Sequence, residues 1–283
     1  MTIGTVVKRY PLIAFCVLAY ALSWWAWPLY AMGLIPIPVA PFGPFLAALV
    51  VLAITGGKRG VSGLLRRMVQ WRVGFRWYVL ALLIPVGLTG IAAALNLLLG
   101  ATPDPSVSLD SWPSLFATFA VVLLVPGLGG AWEEPGWRGF AVPRLQTGRS
   151  ALLAGLILAV IIVGWHIPLM VVGQVHWSDI VLIFGAVIVF NAVFNSVGGS
   201  VLIIMVMHAA NNTVSGSFFS PMFTGADSIR QSWLLAGVWC VAAIAVIIWA
   251  GPTHLSRRHR RQQLADIAPE TAAPSVPVVA PPV

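Results

Sequence analysis

Eight stretches of this 283-residue chain are apolar for about 17–23 residues each: 11–32, 40–56, 77–99, 114–134, 151–173, 179–197, 200–221 and 232–250. At 1.5 Å of rise per residue, a helix of that length crosses or nearly crosses the roughly 30 Å of hydrocarbon in a bilayer. None of the stretches alternates apolar with polar as a barrel strand must, and an open strand in lipid leaves backbone N–H and C=O groups unpaired. The expected fold is therefore all-α: a polytopic membrane protein of about eight transmembrane helices. Composition agrees. The chain is 59% hydrophobic and 8% charged, with a mean hydropathy of +0.93, whereas soluble domains are about 25% charged.

Charge gives the orientation. Lys8 and Arg9 precede the first stretch, and Lys58, Arg59, Arg66, Arg67, Arg72 and Arg76 follow the second. Arg138, Arg144 and Arg149 follow or close the fourth, and Arg257, Arg258, Arg260 and Arg261 follow the eighth. Eight crossings place all of these on one side. The other side receives Arg230, Asp104, Asp110, Asp179 and Asp227. Positive residues collect in the cytoplasm, so both termini are expected there, in a bacterial plasma membrane. The net charge of +8 is then explained by topology and by attraction to anionic lipids, and calls for no nucleic acid. Residues 57–76 mix Arg with Leu, Val, Trp and Phe and read as a basic amphipathic helix on the inner membrane surface. The first stretch is long, ends in Trp24, Trp25 and Trp27, and shows no small-x-small cleavage site, so it reads as a retained helix and not a signal peptide. Cys16 and Cys240 lie inside apolar stretches and have neither disulfide nor zinc-finger spacing. One transmembrane domain is expected over residues 1–265, followed by a disordered Pro/Ala-rich tail over 266–283.

Against this background a few residues stand out. Glu133, Glu134 and Arg138 close the fourth stretch, His166 lies in the fifth, and His208 and Asn212 lie in the seventh. A charged group costs at least about 2.5–3.5 kcal/mol at the middle of a membrane helix, so such groups are expected to face one another or a wet cavity. Glu134 and Arg138 are four apart and can pair on one helical face. Glu133 points about 100° away. It has no local cation and is suited to take a proton from water. His208 and Asn212 are also four apart, and their ring N–H and amide N–H groups can hold an oxyanion. Asn191 and Asn195 read as interhelical hydrogen-bonding residues. Pro135 and Gly136 predict a break in the helix beside the glutamates, which lipid tolerates only where protein or a cavity covers it.

Three short patterns occur in order: "EEPGWR" fits EExxxR, "IVGWH" resembles FxxxH with Ile162 in place of Phe, and "HAANN" fits HxxxN. Together, over roughly residues 115–215, they resemble the CPBP family of intramembrane endopeptidases: the type II CAAX prenyl proteases and their Abi-like, bacteriocin-processing relatives. The resemblance implies a peptidase in which Glu133 and His166 activate a water, His208 and Asn212 stabilise the oxyanion, and Glu134 and Arg138 support the site. It implies no cofactor on the glutamate reading. On the alternative reading, Glu133, His166 and His208 bind zinc, although HExxH is absent. The implied partners are membrane lipids and a peptide or protein substrate, either lipidated or membrane-embedded. Two other classes share these residues: a transporter or proton relay, which also needs buried carboxylate and histidine, and a non-catalytic immunity or scaffold protein.

Overall fold

The computed structural model describes residues 2–105, 107 and 112–257. Asp110, Arg258, Arg260, Arg261 and the tail at 266–283 lie outside the described residues. Within them the chain is helical, with no strand. The helices are α1 (Ile3–Arg9), α2 (Pro11–Trp24), α3 (Ala26–Ala31), α4 (Gly43–Thr55), α5 (Gly57–Met68), α6 (Phe75–Leu98), α7 (Trp112–Leu124), α8 (Glu134–Gly136), α9 (Val142–Leu145), α10 (Ala151–Val171), α11 (Asp179–Ser196), α12 (Val201–Val214) and α13 (Gly225–Ala250). Turns of 3₁₀-helix at Gly130–Glu133 and of π-helix at Trp137–Ala141 and Ser215–Phe219 complete the helical content.

Among the described residues, six segments are long and apolar enough to span a bilayer: Pro11–Ala31, Phe75–Leu98, Ala151–Val171, Asp179–Ser196, Val201–Phe219 and Gly225–Ala250. The molecule is an integral, multi-pass membrane protein. The other two expected crossings correspond to shorter helices, α4 and α7, each of 13 residues, or about 20 Å of rise. Three boundaries differ from the sequence reading. The first stretch turns at Trp25, because Pro28 has no N–H to return to the Trp24 carbonyl. The fourth is not one helix over 114–134: α7 stops at Leu124, and Pro126, Gly127 and Gly129, the last with φ of 85°, carry the chain into a separate broken segment. The surface segment is helical only over Gly57–Met68. Phe75 and Arg76 already belong to α6, which begins after Gly74.

The core is a cluster of buried apolar side chains in which Phe15, Trp137, Phe140, Trp165, Phe194, Ile203, Met207 and Trp239 are completely or almost completely covered. α12 lies at its centre, against α6, α7, α11 and the broken segment, while α2 packs on α4, and α11 on both α10 and α13. Small residues let these helices approach closely. A Cβ on Gly136 would fall 2.5 Å from the Pro44 backbone, and one on Gly185 would fall 2.6 Å from that of Trp239. Large apolar side chains such as Ile13, Val17, Leu83, Val160, Val241 and Ile248 point outward, as a lipid-facing surface requires. Serine side chains start the two helices that carry the histidines. Ser150 accepts from Leu153 N–H at α10, and Ser200 accepts from Ile203 N–H at α12, satisfying donors that the first helical turn leaves unpaired.

Candidate active site

The broken segment Gly130–Gln146 holds the paired glutamates. Within 17 residues it passes from 3₁₀-helix through α8 to a π-helical turn and then α9, and apart from half-buried Trp132 it is buried throughout. Prolines explain the irregularity. Pro135 has no N–H for the Ala131 carbonyl, which instead accepts from Glu134 N–H in a tighter turn. Pro143 has none for the Gly139 carbonyl, which accepts from the Arg67 guanidinium of α5 at 2.6 Å. That guanidinium lies outside the spanning segments. Burial, and then the nearby Arg144 cation, lower its pKa to about 10, so it remains charged at neutral pH. The surface helix and the motif segment are thus joined by a charged donor on an otherwise orphaned carbonyl.

The two carboxylates have different neighbours. Glu134 is fully buried. Both its oxygens accept from Arg138 Nη1 at 3.0 Å, and Oε1 also meets His208 Nδ1 at 2.6 Å. Arg138 continues to Asn191 Oδ1 at 3.3 Å and lies over the Phe190 ring at 5.0 Å. Glu133, 5% exposed, has no cation bonded to it: Oε2 accepts from Trp137 Nε1 at 3.1 Å. Its other oxygen, Oε1, faces Gly130. A Cβ built on Gly130 would lie 2.2 Å from His208 Nε2 and 2.8 Å from Glu133 Oε1, so these two atoms are no more than the sum of those distances, 5.0 Å, apart. Only glycine fits there.

Hydrogen bonds fix much of the imidazole chemistry. His166 Nδ1 lies 2.9 Å from the Ile162 carbonyl. A carbonyl can only accept, so Nδ1 carries a proton, and in the neutral ring Nε2 then holds the lone pair. His208 Nδ1 faces the Glu134 carboxylate, which orients the ring and leaves Nε2 toward Gly130 and Glu133. Phe190 meets the His208 ring edge-on at 5.7 Å, and Trp137 meets Trp165 likewise at 6.1 Å. Glu133, Glu134, Arg138, His166, His208 and Asn212 all line one cavity of about 350 Å³. The Oδ1 atoms of Asn211 and Asn212 have no hydrogen-bond partner among the described residues. Three sequence patterns thus converge on one cavity.

Residues 111–214 match the family model of the Rce1-like type II CAAX prenyl endopeptidases. The match is consistent with a CPBP family intramembrane protease, and it spans all six candidate site residues. No curated protein matches the chain. Within the Rce1-like region, the fold adds residues that the patterns did not indicate as part of the site. Trp137 orients Glu133, Gly130 makes room between Glu133 and His208, Phe190 packs on both Arg138 and His208, and Asp179 lines the far end of the cavity. Trp137 stands four residues from Glu133, a spacing that could have indicated it. The contacts of Gly130 and Phe190 with His208, and the place of Asp179 on the cavity, depend on packing between elements that no spacing rule reveals. Asn191 and Asn195, expected to bond between helices, do so: Asn191 accepts from Arg138, and Asn195 accepts from Gln146 and donates to the His254 carbonyl. Glu133, His166 and His208 line the same cavity, but among the described residues no three His, Cys, Asp or Glu side chains are grouped so as to hold a metal ion.

Proposed function

We propose that this chain is an intramembrane endopeptidase that hydrolyses a peptide bond with a water activated by Glu133. Protease activity in general rests on the family match; the assignment of roles is ours. Glu133 Oε1 and His208 Nε2 are separated by no more than 5.0 Å, a span that one water bridges with two ordinary hydrogen bonds, and this observation carries the reading. In the reaction, the water gives a proton to Glu133 as its oxygen attacks the scissile carbonyl carbon. The lone pair on His166 Nε2 accepts the water's second hydrogen and aims the attack. The carbonyl oxygen becomes an oxyanion held by His208 Nε2–H and the Asn212 amide. When the C–N bond breaks, Glu133 returns its proton to the departing amine, so the enzyme ends as it began. This role requires His208 as the imidazolium. The charges then balance: two carboxylates, Glu133 and Glu134, against Arg138 and His208. Glu134 and Arg138 act by holding the His208 ring.

Replacing Glu133 by Gln keeps the shape and removes the base. We expect cleavage to fall by about 10²- to 10⁴-fold, with unchanged insertion and an unchanged melting profile in detergent. Equal cleavage by this variant would end the role assigned to Glu133; a parent protein without cleavage would favour a scaffold, and ion flux without cleavage a transporter. The zinc reading of the same residues, in which a metal would supply the Lewis acid, predicts stoichiometric metal in purified protein and loss of cleavage on chelation. Our reading expects cleavage unaffected by chelator. The substrate is a peptide or protein in or at the bilayer, and its lipidation is a further proposal of the same kind. We also infer eight crossings with cytoplasmic termini. On that topology, the loops lining the cavity at 37–41 and 174–175 lie at helix ends remote from the Arg-rich side.

A further inference from the structure

Five carboxylates lie among the described residues. Glu133, Glu134 and Asp227 have hydrogen-bond or ion-pair partners, and Asp104 also has an interaction partner. Asp179 is the remaining one. Its backbone N–H bonds to the His176 carbonyl, but its side chain has neither a hydrogen bond nor an ion pair with any described residue, although it is only partly exposed. An unpaired carboxylate in such a place is costly, and the first turn of α11 offers it only the helix dipole. It lines the same cavity as Glu133.

The geometry of α11 relates the two ends of that cavity. Asp179, Leu182, Ile183, Ala186, Val187 and Phe190 all line it, and their spacing of three, one, three, one and three places them on one helical face. That face runs for 11 residues, or about 16 Å. It ends at Phe190, which touches the His208 ring. An extended peptide covers about 3.3 Å per residue, so about five residues separate the reacting bond from Asp179. The wall between them is apolar. The occupant that fits is a peptide with an apolar run ending in a cation, as at the margin of a membrane segment.

We propose that Asp179 is a cation-binding subsite, and that the peptide cleaved at this site carries a lysine, arginine or free amino group about five residues from the scissile bond. The inference rests on the peptidase reading for its bond, but the subsite itself can be tested without cleavage. The probes are fluorescent apolar peptides in which Lys, Gln or Glu is moved one position at a time. Binding is measured to the full-length protein carrying Glu133→Gln in detergent micelles, and cleavage to the protein with Glu133 intact. We expect one position, near the fifth from the cut, where Lys binds about tenfold tighter than Gln. Asp179→Asn should bring that ratio to within twofold, and Asp179→Lys should reverse it in favour of Glu. A Lys preference that survives in both variants, or equal affinity for Lys and Gln at every position, overturns the subsite. Absence of cleavage alongside the expected binding ratios overturns only the peptidase reading.

Discussion

Two segments of this molecule meet the membrane in opposite ways. α13, Gly225–Ala250, runs 26 residues without a break, and most of its surface is left to lipid. Only Gln231, Ala236, Trp239 and Ala243 are buried along it, a narrow stripe that docks on α6 and α11. The segment Gly130–Gln146 changes helical type three times and is covered by protein almost everywhere. In lipid, an unbroken helix satisfies its own backbone, whereas a broken one needs neighbours to do it. The broken segment has those neighbours in Arg67 on the Gly139 carbonyl and in the packing of α4 and α12 around it. The same cover permits an ionised cluster, since carboxylates and guanidinium meet one another there and not hydrocarbon. The contrast teaches that irregular backbone and chemical function share one requirement, a protein-lined interior, and that both are found where α12 passes the motif.

The sharpest way to break this contrast is to remove one charge from the buried cluster. Arg138→Met keeps an unbranched apolar stem and leaves Glu134 with His208 alone. Breaking a buried pair by deleting one partner costs about 3–5 kcal/mol, because the other charge remains buried. Thermal melting in detergent should show that loss. The double variant Glu134→Leu with Arg138→Met should recover only part of it: apolar residues replace the pair, but His208 Nδ1 loses its acceptor. A single variant that melts with the parent protein would mean that water, and not protein, solvates Glu134, and the cover described above would be wrong.

A smaller test asks whether the close approach at Gly130 matters. A Cβ there meets the rigid His208 ring at 2.2 Å and 2.5 Å and Glu133 Oε1 at 2.8 Å, so Gly130→Ala must displace one of the two groups proposed to hold the water. We expect about 1–3 kcal/mol of destabilisation from overpacking and about a 100-fold loss of cleavage from misplacing Glu133, the proposed base, or His208, the proposed oxyanion donor. Both fall in the same variant, and a calorimetric scan with a cleavage assay separates them. Full activity in Gly130→Ala would show that the carboxylate and imidazole need not lie so close.

Much of this was legible in the sequence, for reasons that also mark its limits. Hydropathy gave the all-α membrane fold because lipid leaves the backbone few alternatives, and the spacing of Glu134 and Arg138 gave their pair because a helical turn brings i and i+4 together. It could not give the end of α7 at Leu124: apolar residues continue past it, and the break depends on where Pro126 and Gly129 find cover. The bond between His208 and Glu134 was likewise hidden, since 74 residues separate the partners and only the passage of α12 beside α8 joins them. Asp179 read as an ordinary loop-end acid because nothing in "HWSD" reveals that α11 turns that face to a cavity.

The smallest effect is expected on the regular side of the comparison. Gly237 lies in α13, exposed, and a Cβ there would meet nothing within 4 Å. Alanine removes backbone freedom that glycine loses on ordering, so Gly237→Ala should raise stability by up to about 1 kcal/mol, with cleavage unchanged. The sign matters more than the size. The same chemical change, one methyl group, should destabilise and inactivate at Gly130 but stabilise quietly at Gly237. If melting curves show both variants destabilised alike, α13 has an inward partner at Gly237, and the division between a lipid-facing regular helix and a protein-covered irregular one fails at that position.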